Sequence, residues 1–404
     1  MRYLESRQYM GRLNNSKIIR RNLKLPHSVG VKDITLREGF GSGLLGLGVE
    51  KMARIAEKLD EMNLPVIQVE FRGYSDEVKR NFKIIKDHVR KAKLDIINLA
   101  FSDQWKETTD AAAEVGVDSV CLSLWCNELE MRHSIISETK VLERIVEVIQ
   151  YSKDVGLETY FHIADAPRTD LEFMKKLCKV CIEAKVDGAG ISDSWGIASP
   201  ATWKYLVSEV KKATPGIPFS IHCHNDFGQA LANTLAGIEA GADNVDVCIN
   251  GYGERSGMPA LDEVVGALTM LYGLKFDIRL DKMVELYRLF EELTGTPIAA
   301  NKPLVGKYAF SYHYDSRFTY YHIDPLLILP FNPNIVGNGP TILLTRYSGS
   351  LVLKEKLREL GLELLPDKIP QFLERARQQL VQQERPFLQD DEIRALVEQV
   401  SQGS

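Results

Sequence analysis

The sequence predicts an α/β fold: a (β/α)8 TIM barrel with a mostly helical C-terminal extension. Three observations lead there. From about residue 31 to 275, short β-branched runs alternate with longer runs of helical spacing. Polar, chemistry-bearing residues gather at the carboxyl ends of the short runs. Beyond residue 275 the alternation stops.

The strand-like runs are VKDITL (31–36), PVIQVEF (65–71), KLDIINLAF (93–101), SVCLSL (119–124), ETYFHI (158–163), GAGIS (188–192), PFSIHC (218–223) and NVDVCI (244–249). Helix-like runs separate them, among them VEKMARIAEKLDEMN, EVKRNFKIIKDHVRKA, KVLERIVEVIQYSKDV and PATWKYLVSEVKKA. Eight such pairs over roughly 245 residues fit a (β/α)8 barrel. An open doubly wound sheet would carry a phosphate-binding glycine turn after its first strand. GFGSGLLGLG does follow strand one, but its glycines lack the G-x-G-x-x-G spacing before a helix. It reads as a flexible loop over the site.

The tail begins with FDIRLDKMVELYRLFEELTG, continues through a proline- and aromatic-rich stretch, and ends in two or three helical runs. The expected division is an N-terminal extension (1–30), a catalytic barrel (31–275) and a helical C-terminal subdomain (276–404).

Composition narrows the partners. Fifty basic and 55 acidic residues leave a net charge of −5, which gives no reason to expect nucleic acid or a charged membrane. No apolar run reaches the roughly 20 residues that span a bilayer, and the polar N-terminus lacks a signal core. The six cysteines form no disulfide framework, as expected in a reducing compartment. Cys178 and Cys181 make a CxxC inside a helical run and read as helix-face thiols. The expected location is the cytoplasm.

In a barrel the active groups project from the carboxyl ends of the strands. Those positions hold Arg37 and Glu38, Glu70 and Arg72, His162 with Asp165 and Arg168, Ser192 to Ser194, His222 to Asp226, and Asn250 with Glu254 and Arg255. His222 and His224 are two apart on a strand, so both imidazoles point to one face. Two such imidazoles suit a metal, and a carboxylate from another strand end would complete the set. Glu38 is the natural third ligand, because closure brings strand one near strands seven and eight. Arg37 is always cationic and cannot be a ligand, but it can stabilise a developing oxyanion. Glu70 on the next strand is expected to orient Arg37 by a bidentate ion pair. This donor set accepts Mn, Mg, Zn, Co or Fe, and the sequence does not choose.

These residues carry a family resemblance. KDITLREGF resembles the first-strand signature of the metal-dependent lyase and acyltransferase barrels that include isopropylmalate synthase, homocitrate synthase and hydroxymethylglutaryl-CoA lyase. HCHNDFGQALANTLAGIEAGADNVDVCINGYGERSG is similar to the strand-seven to strand-eight segment of the synthase branch, as are ADAPRTD, SDSWG, KPLVGKYAF and LTRYSGS in their order. The resemblance spans residues 30–350. It implies Glu38, His222 and His224 as ligands of a divalent metal, Arg37 at the reacting carbonyl, and Glu70 as its partner. It implies Ser194 as a contact to the substrate carboxylate, with Arg168 and Asn250 as further substrate-binding candidates. The implied reaction is a Claisen-type condensation of an acyl-CoA, acetyl-CoA in the usual case, with a 2-oxo acid. A homodimer is expected, its aromatic 305–335 segment reaching the neighbouring subunit.

The chain departs from the synthase pattern at several points. Met258 stands where an asparagine adds a metal or water contact. Phe40 and Gly41 replace a glutamate and a glutamine, and Ala164 replaces a glutamate. The glycine-histidine contributed by a partner subunit is not recognisable; Tyr312 and His313 are the nearest candidates. From the length of the stretch after the barrel, the regulatory domain of feedback-controlled synthases is not expected. We therefore expect a divergent member, with an unusual substrate or a different second half-reaction. His162, His313 or Tyr314 would supply the missing base. Two other readings stay open: a lyase of the same barrel cleaving a hydroxy acid, and a catalytically silent barrel acting as a binding subunit.

Overall fold

The computed structural model describes residues 14, 16–21, 23, 25–40, 43, 45–134 and 136–402. The expected N-terminal extension falls largely outside the described residues, as do Gly41 and part of the glycine loop. The chain divides into two compact units, one ending at Ile298 and the other running from Ala299 onward.

The first unit is a closed barrel of eight parallel strands in sequential order. They are β1 (Gly30–Asp33), β2 (Val66–Gln68), β3 (Lys93–Leu99), β4 (Ser119–Trp125), β5 (Glu158–Ala164), β6 (Gly188–Asp193), β7 (Phe219–Cys223) and β8 (Asn244–Val247). Closure is the pairing of β1 with β8, Lys32 opposite Asp246 and Asp33 opposite Val247. The helices that follow the strands are α1 (Val49–Glu61), α2 (Asp76–His88), α3 (Trp105–Val115), α4 (Glu138–Asp154), α5 (Leu171–Glu183), α6 (Pro200–Lys212), α7 (Ala230–Glu239) and α8 (Leu261–Ala267). Their starts are set locally: Ser75, Ser137, Asp170 and Ser199 each accept a backbone N–H of the first turn. Strands β6 and β7 are buried along their whole length, as expected of parallel strands covered by helices. Cys178 and Cys181 are buried thiols on α5.

Strands β1 and β2 each stop three residues before their apolar patterns suggest, and both stops shape the site. After β1, Thr35 N–H donates to Asp33 Oδ1 (3.0 Å), and Ile249 N–H donates to Thr35 Oγ1 (2.8 Å). These bonds draw the chain into a wide helical turn, Thr35–Gly39, that carries Arg37 and Glu38. Strand β2 ends at Gln68, because the N–H of Glu70 donates to Leu36 O in that turn instead of to a strand (3.2 Å).

Helix α9 (Met283–Thr294) lies in the barrel's unit, although its sequence reads with the tail. Its Tyr287 hydroxyl accepts the N–H of Asn250 (3.0 Å) and bonds to Asp262, which ties the helix to the end of β8. The compact unit thus extends beyond residue 275, to Ile298.

The second unit has four helices among its described residues, α10 (Asp315–Ile323), α11 (Ser350–Glu359), α12 (Ile369–Gln382) and α13 (Asp390–Ser401). Two short pairs accompany them: β9 (Ser311–Tyr312) with β10 (Thr341–Ile342), and β11 (Leu344–Thr345) with β12 (Phe387–Leu388). Val352, Leu353, Phe372, Leu380, Ile393 and Val400 share its core.

Candidate metal and active site

Glu38, His222 and His224 are all buried, and one ligand atom from each lies within 4.8 Å of the others. The two His residues meet because β7 presents alternate side chains to the same face. Their Nε2 atoms are 3.1 Å apart, and His224 Nε2 is 3.5 Å from Glu38 Oε1. With metal–nitrogen bonds of about 2.1 Å, two adjacent ligands of one ion sit about 3 Å apart. Asp246 on β8 holds His222 Nδ1 at 3.0 Å. A carboxylate there accepts the Nδ1–H hydrogen bond and leaves the Nε2 lone pair facing the cluster. Nδ1 of His224 is buried with no hydrogen-bond partner among the described residues.

The charge states fit a cation. Burial alone would raise the Glu38 carboxyl, but Arg37, His222 and His224 hold it down at about 2. Burial, with His222 beside it, lowers His224 to about 3. At neutral pH one is a carboxylate and the other a neutral imidazole, the forms that bind metal. The donor chemistry, the spacing and the oriented His222 tautomer together fit a divalent ion.

Arg37 is fixed beside this cluster. Its Nε donates to Gln68 Oε1 (2.7 Å), and its Nη1 pairs with Glu38. Glu70 does not orient it: the ion pair of Glu70 is to Arg72 (2.7 Å). The reason is the early end of β2. Gln68 is the last residue whose side chain the strand directs inward beside β1, and Glu70 sits on the following loop.

Below the cluster a polar layer crosses the barrel. Gln68 Nε2 donates to Asp95 Oδ2 (2.6 Å), which also accepts from Lys32 Nζ (3.2 Å). Lys32 lies 3.5 Å from Asp246 Oδ1. Gln68, Asp95, Lys32 and Asp246 therefore link Arg37 to His222 through consecutive polar contacts. Burial works against the Lys32 charge, but Asp246 and Asp95 overcome it and raise its pKa. Asp246 is pulled down in turn by Lys32 and His222 against its own burial.

A cavity of about 520 Å³ opens over this floor. Arg37, Glu38, His162, Ser194, His222 and His224 line it, so six expected residues are brought together. His162 is buried on β5 with Nδ1 3.4 Å from Ser192 Oγ, and burial lowers it to about 3. Gly190 makes room for it, since a Cβ there would stand 2.2 Å from Nε2. Ser194 Oγ accepts the N–H of Asp165 (2.9 Å), and its carbonyl accepts from Arg255 (2.6 Å). Arg255 adopts a left-handed backbone (φ 56°) and pairs with Asp226 at 2.8 Å.

Other expected residues lie elsewhere. Arg168 is partly exposed and pairs with Asp165 (3.0 Å), outside the cavity lining. Asn250 does not line the cavity either: it is a left-handed turn residue (φ 56°), a conformation asparagine tolerates. His313 belongs to the C-terminal unit, 4.1 Å ring to ring from Tyr314. Ala164 lines the cavity at the end of β5. Met258 is a core residue packed with Ile34 and Cys248.

Sequence reasoning missed Gln68, Asp246, Trp125 and Trp195, all of which line the cavity. The signal for the first two is a polar residue at an inward position of an otherwise apolar strand run. The tryptophans stand at or just past strand ends, in CLSLW and SDSW.

An eight-stranded parallel barrel with a buried Glu-His-His cluster at its carboxyl end defines a barrel enzyme with a candidate metal centre. A profile of the HMGL-like family matches residues 28–290. Homocitrate synthase AksA of Methanothermobacter thermautotrophicus is 32% identical over 356 residues, 88% of this chain and 90% of that protein. A 2-isopropylmalate synthase of Sulfurisphaera tokodaii is 34% identical over 346 residues, 85% of this chain and 89% of that protein. Among solved structures, Bacillus subtilis HMG-CoA lyase superposes with a TM-score of 0.59 at 18% identity, covering 68% of this chain and 96% of that one. That last similarity is one of fold. The chain belongs to the HMGL-like family, as its first- and seventh-strand motifs suggest, and it is an enzyme of the synthase kind.

Proposed function

We propose that the protein is a divalent-metal-dependent acyltransferase that condenses an acyl-CoA, acetyl-CoA in the simplest case, with a 2-oxo acid. The observation that carries this reading is the convergence of Glu38, His222 and His224 beside Arg37 in one buried cavity. The synthase names of its relatives support it.

Glu38, His222 and His224 would hold the ion. When bound, a divalent cation supplies Lewis-acid polarisation to the carbonyl of the 2-oxo acid. Arg37 adds a fixed positive charge on the cavity floor, where negative charge grows on the attacked carbonyl oxygen. Gln68 and Glu38 hold it there, so little reorganisation accompanies the reaction. Ser194 and Ser192 offer hydroxyls to the substrate carboxylate. His162 is held neutral by burial, so it serves as a hydrogen-bonding group to substrate and is a weak base. Arg168, expected at the substrate, pairs with Asp165, and Asn250 forms a left-handed turn tied to Tyr287, so we assign neither a substrate contact.

We place the protein in the cytoplasm as a homodimer. Among the described residues no helix is long and apolar enough to cross a membrane. Light scattering of the purified chain checks the dimer.

The decisive assay follows coenzyme A release with a thiol reagent across a panel of 2-oxo acids, with Mn or Mg added. Release should require both a 2-oxo acid and metal, and Glu38→Gln should abolish it. If no 2-oxo acid elicits release, the condensation reading fails. Consumption of a hydroxy acid in that case would favour the lyase direction.

A further inference from the structure

A second cavity of about 520 Å³ joins the central one beyond the ends of β3 and β4. The two share Leu99, Ser102, Ser123, Trp125 and Trp195. In an eight-stranded barrel, β3 and β4 lie across the mouth from β7 and β8. The annex is therefore the far wall of the same opening, opposite the Glu-His-His cluster.

Its chemistry differs from that of the cluster. Phe101, Met131, Ile136 and Val141 complete the apolar wall, and among the described residues Glu130 is its single charged member. Trp125 and Trp195 meet edge to face, with centroids 6.4 Å apart and planes at 69°. Leu99, Trp125 and Trp195 stay 51%, 37% and 38% exposed. Apolar groups left open side by side at the mouth of a cavity mark a ligand surface.

We propose that this annex receives the side chain of the 2-oxo acid, and that the substrate carries a bulky uncharged side chain, aromatic or long-alkyl. The inference rests on the acyltransferase reading above. A 2-oxo acid anchored beside Arg37 shares its cavity with both tryptophans, and the larger its side chain, the more of their open surface it covers. Among the described residues no basic side chain lines the annex and Glu130 does, so it favours an uncharged group over the phosphates of an acyl-CoA. Basic groups lie elsewhere around Trp195: the guanidinium carbons of Arg255 and Arg168 are 4.7 Å and 5.3 Å from its ring.

Calorimetric titration of the Mn-loaded full chain with pyruvate, 3-methyl-2-oxobutanoate, phenylpyruvate and 2-oxooctanoate tests the proposal. The two bulky acids should bind at least about 10-fold more tightly than pyruvate, the scale set by one or two methylenes in an apolar pocket. Trp125→Ala and Trp195→Ala should each cut the bulky-to-small affinity ratio several-fold, and Trp125→Phe should restore part of it. Thermal melts identify any variant that fails to fold, and the parent protein's ratio decides in that event. A parent ratio near one, or a ratio that both alanine variants leave intact, overturns the proposal. The thiol-release assay separates the two readings. Tight binding of bulky acids without thiol release keeps the annex and sinks the condensation. Release with small acids alone keeps the condensation and sinks the annex.

Discussion

The two sides of the barrel mouth are built differently. At β1, β7 and β8, side chains are fixed by polar partners: Glu38 by Arg37, Arg37 by Gln68, His222 by Asp246. At β3 and β4, the wall is shaped by packing, and its large apolar groups remain open. A fixed polar corner preserves one reaction, because charges must meet the same atoms of every substrate. An apolar wall can change its shape at small cost, because its contacts are non-directional. The departures from the synthase pattern leave the first side's ligands in place.

The largest effect should come from the candidate metal ligands. His222→Ala or Glu38→Gln should weaken Mn binding by more than about 100-fold, above the loss typical of an outer-shell change. Equilibrium dialysis with Mn reads this directly; unchanged binding would remove the basis of the comparison.

Next is Lys32. Replacing it by methionine leaves Asp95 and Asp246 without their shared counter-charge, which should cost about 3–5 kcal/mol in chemical denaturation. The double variant Lys32→Met/Asp95→Asn should recover part of that. A single variant as stable as the parent would show that the polar layer is not a coupled unit.

Asp33 gives a pH test beside the same corner. Burial raises it to about 7, against the Thr35 hydrogen bonds that favour its charged form, and its Oδ2 has no hydrogen-bond partner among the described residues. Unfolded, the group titrates near about 3.9. Between those values the folded protein keeps a proton that the unfolded chain releases. Stability should therefore fall as pH rises from about 4 to about 7, by on the order of 2–4 kcal/mol. Asp33→Asn should flatten that part of the profile of urea midpoints; a slope equal to the parent's would contradict the assignment.

Asp246→Asn keeps the shape of the corner but weakens its hold on the His222 tautomer. Metal affinity should drop about 10- to 100-fold, with the fold retained by circular dichroism. The smallest effect belongs to the other wall. Trp195→Ala should change stability by less than about 1 kcal/mol, since its ring is already part exposed. A larger loss in thermal or urea unfolding would mean that the tryptophan pair is structural.

Much of this was legible in sequence because it depends on local periodicity. Strand alternation places His222 and His224 on one face whatever the rest of the chain does. The β-branched runs locate every strand of the barrel, with errors only at their ends. The reading of Glu70 failed for a different reason. Gln68 and Glu70 share the same alternation, and nothing in PVIQVEF marks where the strand stops. The stop is set by the turn after β1, where Leu36 O takes the Glu70 N–H. Helix α9 was read with the tail because its ties to the barrel, Tyr287 to Asn250 and Asp262, Glu285 to Lys58 and Leu293 O to Lys51, all join residues distant in the chain.

By itself, then, the sequence determined the barrel, the placing of His222 and His224 on one face, and the family, because side-chain period and motif order are properties of short segments. Only the tertiary structure decided which residues complete them. Closure of β1 on β8 sets Lys32 beside Asp246, and pairing across the barrel gives Arg37 to Gln68. Those partners are fixed by strand register and strand ends, which depend on hydrogen bonds to residues distant in the chain.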